Sequence, residues 1–187
     1  MKRIILNVLI LLIVMLATGC TPNADTVDTP LYSGKSLFIG VVGEVPKIRE
    51  EHVHFTSISF NELADYTKLS SQYDAVFIMK EHLQEADDNK YTKVYTNAGV
   101  PFFFIGAAKS FMPFVLEDVS YEHSSLKNFN NDMYVTGYLQ TGETYKYWEY
   151  GLYNGKVNEP NIKDVYSRMF TTIESIENGT YNLSPSL

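Results

Sequence analysis

The stretch YDAVFIMKEHLQEADDNKYTKVYTNAGVPFFFIGA, residues 73–107, sets the architecture of this chain. It contains two short runs, DAVFIM (74–79) and PFFFIGA (101–107), that are apolar without alternation. Successive side chains of a strand point to opposite faces, so a strand wetted on one side alternates polar with apolar residues. A strand covered on both faces does not need to. Continuous Val, Ile and Phe therefore predicts strands buried within a parallel sheet. Between the two runs, Leu83, Tyr91, Val94, Tyr95 and Ala98 fall near one helical stripe, which Gly99 and then Pro101 bring to an end. The stretch predicts strand, helix, strand.

Upstream, SLFIGVV (36–42) is a third run of the same kind, and VHFTSISF (53–60) is β-prone but mixed, which predicts a more exposed strand. NELADYTKLSSQ (61–72) places Leu63, Tyr66 and Leu69 on one side of a helix, with Asn61 available as its cap. In layout alone, the stretch from Tyr73 to Gly106 resembles a flavodoxin-type or Rossmann-type βαβ unit, and right-handed crossovers follow from the general rule. Downstream the style changes. DMYVTGYLQ (132–140) and TYKYWEYGLY (144–153) flank the turn residues TGE, which predicts an antiparallel hairpin. Ile162, Val165, Tyr166, Met169, Phe170, Ile173 and Ile176 recur at three- and four-residue steps, with Asn161 and Asp164 resembling a capping box and Gly179 beyond the end. The expectation is a single α/β domain over residues 36–180, with a mainly parallel sheet flanked by helices and an added antiparallel hairpin. A short tail, 181–187, follows.

The chain starts MKRIILNVLILLIVMLATGC, and Cys20 is its one cysteine. From Ile4 to Ala17 the residues are apolar except Asn7, a run of 14. As a helix this spans about 21 Å, against about 30 Å of bilayer hydrocarbon, too short for a stable crossing. A basic start at Lys2 and Arg3, a short apolar stretch and then small residues is the layout of an export signal. With Ala17, Thr18 and Gly19 directly before Cys20, the first 20 residues resemble a bacterial lipoprotein precursor with its lipobox. Ala17 stands where that family usually has leucine, and Leu16 is one place further back. The resemblance implies removal of residues 1–19, a diacylglyceryl group on Cys20, and residence on the extracytoplasmic face of the cell membrane. A lone cysteine has no intrachain disulfide partner, and two acyl chains supply the two signals that stable anchoring requires. Residues 20–35 are then the lipidated cysteine and a flexible tether, whose last 15 residues reach at most about 50 Å when extended.

Without Lys2 and Arg3, the 22 acidic residues face 13 basic ones, a formal charge of −9. An acidic body is repelled by nucleic acid and by anionic headgroups alike, so polynucleotide partners are not expected. The expected partners are the membrane, through the lipid anchor, and an envelope protein or glycan.

Ligands of open α/β sheets bind beyond the carboxyl ends of the strands. GVVGEVP (40–46), KEH (80–82) and GAAKSF (106–111) are the segments expected there, and they offer Glu44, Lys109 and Ser110 as candidate ligand residues. Gly40 and Gly43 do not make the dinucleotide fingerprint, and Lys109-Ser110 lacks the glycine that precedes the lysine of a phosphate-binding loop. No cofactor is therefore implied. His52 and His54 sit two apart, near Glu50 and Glu51 in sequence, with His82 or His123 available from elsewhere. They are weak metal candidates, because an HxH pair needs further ligands, and no metal is assigned. Ser110 and His123 with Asp118 or Glu117 make a triad only by sequence proximity, and no G-x-S-x-G elbow is present. No catalytic residue is assigned.

Fourteen tyrosines are many for this length. On a strand through TYKYWEYGLY, Tyr145, Tyr147, Glu149 and Tyr153 take one face, and Lys146, Trp148, Tyr150 and Leu152 the other. One face must meet the core, so the other can show aromatic rings to a partner. Tyr145, Tyr147, Trp148 and Tyr150 are accordingly candidate partner-binding residues. The functional expectation is a lipid-anchored, non-enzymatic binding or scaffold domain of the cell envelope. The alternative is a single-lobed small-molecule receptor, or an envelope hydrolase, that uses the strand-end crevice.

Overall fold

A computed structural model describes residues 25–27, 29–122 and 133–179. The leader, Cys20, His123 and the tail 181–187 lie outside the described residues. One six-stranded sheet has the order β2-β1-β3-β4-β5-β6. The strands are β1 (Leu37–Val42), β2 (Val53–Ser57), β3 (Ala75–Ile78), β4 (Phe102–Ile105), β5 (Met133–Thr141) and β6 (Thr144–Gly151). The first four are mutually parallel, and β4-β5 and β5-β6 are antiparallel. This is the expected α/β architecture with its added hairpin.

β3 and β4, and β1 except at the exposed Phe38, are buried on both faces because the sheet carries a core on each side. On one, Ile39, Phe77, Phe103 and Ile105 meet Val165, Tyr166, Met169, Phe170 and Ile173 of a long C-terminal helix. On the other, Val76, Ile78, Phe102 and Phe104 meet residues of the short helices, among them Leu63, Leu69, Leu83 and Tyr95. Each such side chain removed from water contributes roughly 1.5–3 kcal/mol before conformational entropy is set against it. The face assignments follow strand alternation, with Val76 and Phe102 opposite Phe77 and Phe103. β2, at the sheet edge, keeps only Val53 fully buried and is otherwise intermediate or exposed, as its mixed sequence predicts.

The short helices are more broken than their sequence period suggests. α1 (Phe60–Ala64) and α2 (Leu69–Gln72) are separated by a 3-10 turn at Tyr66–Lys68. Ser59, not Asn61, caps α1: its hydroxyl accepts from the Glu62 N–H while the Glu62 carboxylate accepts from the Ser59 N–H, a full capping box. The stripe after β3 likewise divides into α3 (Leu83–Ala86) and α4 (Thr92–Asn97), where Asp88 caps a new turn by accepting from the Lys90 N–H. α5 (Met112–Val115) follows β4.

The C-terminal helix, α6, spans Glu159–Glu177 and holds its predicted stripe. Its cap is Asn158, whose side chain accepts from the Asn161 N–H, and Pro160 sits in the first turn. Asn161 and Asp164, expected as cap residues, are instead inside the helix and buried. Gly179 adopts a positive φ of 64° directly after the helix.

Those two residues explain a second difference. The tether was expected to run through residue 35, yet residues 25–27 and 29–35 pack on the domain. Asn161 Oδ1 accepts the Val27 N–H at 3.1 Å and Asn161 Nδ2 donates to the Asp25 carbonyl at 2.9 Å. Thr29 donates to Asp164. Tyr32 is only 5% exposed and joins the core beside Phe170. Short polar side chains in an upstream segment read as solvated from composition alone, but here buried polar groups on α6 receive them.

The parallel connections share a single handedness. The segments from β2 to β3 and from β3 to β4 both step the same way across the sheet and carry their helices on one face. The segment from β1 to β2 steps the other way and sets Ile48 against the opposite core. A single handedness demands that change of face. The reversal after β1 leaves a switch point between β1 and β3, and it is there that the chain opens.

Candidate functional site

Two clefts lie at the carboxyl ends of the strands, one on each side of the sheet. The 3-10 turn Lys80–His82 after β3 serves both: His82 lines one, and Lys80 and Glu81 line the other. The first, of about 470 Å³, is bounded by Gly43, Ser59, Phe60, Glu85, Lys90 and Tyr91 besides His82. Phe60 packs on Tyr91 and meets the His82 ring edge-on, so aromatic surface makes up much of its wall.

The second cleft, of about 500 Å³, lies between the loop after β1, the turn after β3 and the first turns of α6. Gly43 makes the loop possible. Its φ of 118° is open to glycine, and a Cβ there would stand 2.6 Å from Glu81 Oε1 and 2.7 Å from Met79 Cβ. The chain then turns so that the Glu44 N–H donates to Glu81 Oε1 at 3.0 Å. This bond holds the Glu81 carboxyl below the usual glutamate range. Lys163 pairs with Glu159 at 2.6 Å one helical turn apart. Tyr166 and Tyr134 close the inner side, and Val45 and Val157 stand at the cleft with 40% and 76% of their surfaces exposed.

Of the crevice residues read from sequence, Glu44 lies in this second cleft, while Lys109 and Ser110 line neither cleft. Lys109 donates to the carbonyls of Tyr121 and Glu122 and lies over the Tyr121 ring, tying the end of its own loop. The Tyr121 N–H in turn donates to Asp87 Oδ2 at 2.7 Å. Ser110 Oγ is buried and has no hydrogen-bond partner among the described residues, and Glu117 and Asp118 are exposed. Lys47, Tyr134, Lys163 and Tyr166 were not singled out from sequence. Tyr166 in particular reads as one more member of the helix stripe, and only the placement of α6 against the sheet end reveals its second role.

The two histidines part company. His52 stacks on Tyr32 at 5.3 Å between ring centroids, and His54 lies 5.2 Å from Phe38. Among the described residues no group of three or more His, Cys, Asp or Glu is placed to hold a metal ion.

The hairpin separates its aromatics as alternation requires. Trp148 and Tyr150 face α6: Trp148 lies 6.0 Å from Phe103, and Tyr150, 7% exposed, donates its hydroxyl to Thr172 Oγ1 at 2.7 Å. Tyr145 and Tyr147 face away and are 54% and 55% exposed. Beneath them Phe111, itself buried, lies 5.6 Å from Tyr145, 5.4 Å from Tyr147 and 5.1 Å from Tyr138. The two outer rings are thus seated on an aromatic floor and each presents one side to solvent.

Among the described residues no helix is long and apolar enough to cross a membrane. No protein-family model matches the chain, and no curated protein or solved structure does so either.

Proposed function

We propose that this chain is a lipoprotein held through Cys20 on the extracytoplasmic face of the cell membrane, whose domain binds an envelope glycan or protein without chemistry of its own. The lipobox-like LATGC at residues 16–20 supports the address. The observation that carries the binding role is the pair Tyr145 and Tyr147, half exposed on a paired strand and backed by Phe111. Rings fixed in this way give contact area at small entropic cost, which suits the apolar faces of sugars and the surfaces of proteins. Trp148 and Tyr150 serve the core and leave this role to the outward pair.

The test has two parts. Cys20→Ser is expected to move the protein from the membrane to the soluble or medium fraction, and retention in the membrane would defeat the lipid reading. Co-sedimentation with purified cell-wall sacculi and with detergent-solubilised envelope proteins is expected for the wild type and lost in the Tyr145→Ala/Tyr147→Ala double variant. Equal capture of both proteins would remove the hairpin from the reading.

A further inference from the structure

The geometry points to the second cleft as a binding site for a small organic anion, a carboxylate or phosphate carried on an apolar body, recognised by the Tyr166 hydroxyl and the Lys80 and Lys47 ammonium groups. This site is independent of the hairpin and of the lipid anchor.

Three observations converge on it. Tyr166 is 2% exposed, lines the cleft, and makes no hydrogen bond among the described residues. At the wall of an open cleft its hydroxyl bonds to water, and a ligand acceptor can take that water's place. Burial, with Tyr134 and Glu81 nearby, pushes its ionisation far up, so the group is a donor. It can therefore donate to an acceptor on a ligand.

Cations are available as well. Lys163 is committed to Glu159; Lys80 and Lys47 line the same cleft, feel Glu81 and Glu159 respectively through space, and make no close ion pair among the described residues. Glu81 lines the cleft as well, its charge partly satisfied by the Glu44 N–H, and the carboxylates of Glu44 and Glu159 stand at the same cleft. The helix end adds little: Pro160 lacks an N–H, and the Asn161 N–H already bonds to Asn158. Side chains, not the dipole of α6, supply the recognition.

The rest of the cleft is apolar. Met79, Ile105 and Ile162 form walls, and Val45 and Val157 leave large exposed surfaces at its edge. A volume of about 500 Å³ lies within the roughly 300–1,000 Å³ of small-molecule sites. The location, beyond the carboxyl ends of β1 and β3 where the strand order reverses, is where open α/β sheets bind ligands. A free inorganic anion would satisfy the donors and leave the apolar walls wet, so the apolar body belongs to the reading.

Hexanoate, phenylacetate and phenyl phosphate are suitable probes, with hexanamide and phenylacetamide as neutral counterparts. Binding to the lipid-free protein from residue 21 would be followed by amide chemical-shift changes and by calorimetry. At least one anion is expected to shift the amides of Glu44, Glu81 and Ile162, and to bind about tenfold more tightly than its amide, the scale of one charge-assisted hydrogen bond. Lys80→Gln is expected to erase that preference, and Tyr166→Phe, which keeps the ring and its packing, to weaken anion and amide together. No shift at the cleft with any anion, equal affinity for anion and amide, or affinities indifferent to both substitutions would each overturn the proposal. Shifts produced equally by inorganic phosphate would overturn the apolar component.

Discussion

Glu50 Oε1 accepts a hydrogen bond from Ser167 Oγ across 117 positions of sequence, and the same oxygen accepts the Tyr32 N–H at 3.3 Å. Arg49 completes the clasp, with Nη2 donating to Ser167 Oγ at 2.7 Å and Nη1 to the Thr29 carbonyl at 3.2 Å. Three distant parts of the chain, the upstream arm, the β1-β2 connection and α6, thus meet around one buried carboxylate. The upstream arm and the folded body are joined here.

Glu50→Ala should therefore loosen more than one residue. It leaves the Tyr32 and Arg49 N–H groups without their carboxylate acceptor and the Ser167 hydroxyl with only the Lys163 carbonyl, a loss of about 2–3 kcal/mol. For a domain of this size each kcal/mol lowers the melting temperature by about 2–4 °C. Thermal unfolding of the variant measures it, and a melting temperature equal to that of the wild type would show the arm to be dispensable. A chain begun at residue 36 should be destabilised too, since it lacks Tyr32.

How far the sequence carried this picture depends on which force sets each feature. Doubly buried strands announce themselves, because DAVFIM and PFFFIGA have no polar face to show, and the α6 stripe is long enough to define its period. The hairpin faces follow from alternation alone. At Asn89–Tyr91 the Asp88 cap competes with a weak helical period, and at Tyr66–Lys68 the period breaks without a side-chain cap; in both places two short segments read as one. The clasp was not legible, and of the second cleft only its place beyond the strand ends and its residue Glu44 were. Glu50, Tyr32 and Ser167 lie far apart in sequence, and nothing in a helix stripe distinguishes Tyr166 from Phe170.

Glu81 offers a pH test of the cleft. Its carboxyl is held down mainly by the Glu44 N–H, against the opposing effect of burial. A depressed folded value means that the bond's contribution is complete above the ordinary glutamate pKa of about 4.5 and is lost as pH falls through the lower folded value. The Glu44 amide resonance should consequently titrate with a midpoint below 4.5, and Glu81→Gln should abolish that titration. A midpoint at or above 4.5 would mean that the loop after β1 is not tied to the turn after β3.

Gly137 tests the packing of the hairpin on the parallel core. A Cβ at this position would lie 2.7 Å from Cδ1 and Cε1 of Phe103, with Trp148 Cε3 at 3.3 Å. Phe103 is fully buried in β4 and has little room to retreat. Gly137→Ala is expected to cost about 1–3 kcal/mol through overpacking, read from chemical denaturation. A stability within error of the wild type would mean that β5 can slide away from β4 without loss.

The last prediction separates the two faces of β6. Trp148 packs on Phe103 and Tyr150 bonds to Thr172, so Trp148→Ala should lower stability by about 3 kcal/mol or more, in the range of large-to-small core changes. Tyr147→Ala removes a ring that is 55% exposed and rests on Phe111, so its effect on stability should stay near 1 kcal/mol or below. Capture of an envelope partner should show the reverse order, lost with Tyr147→Ala and kept by whatever fraction of Trp148→Ala remains folded. Measuring melting temperature and capture on the same two preparations decides it. If Trp148→Ala abolishes capture while still folded, the binding surface lies on the α6 side of the hairpin, and the outward tyrosines are only a cover for Phe111.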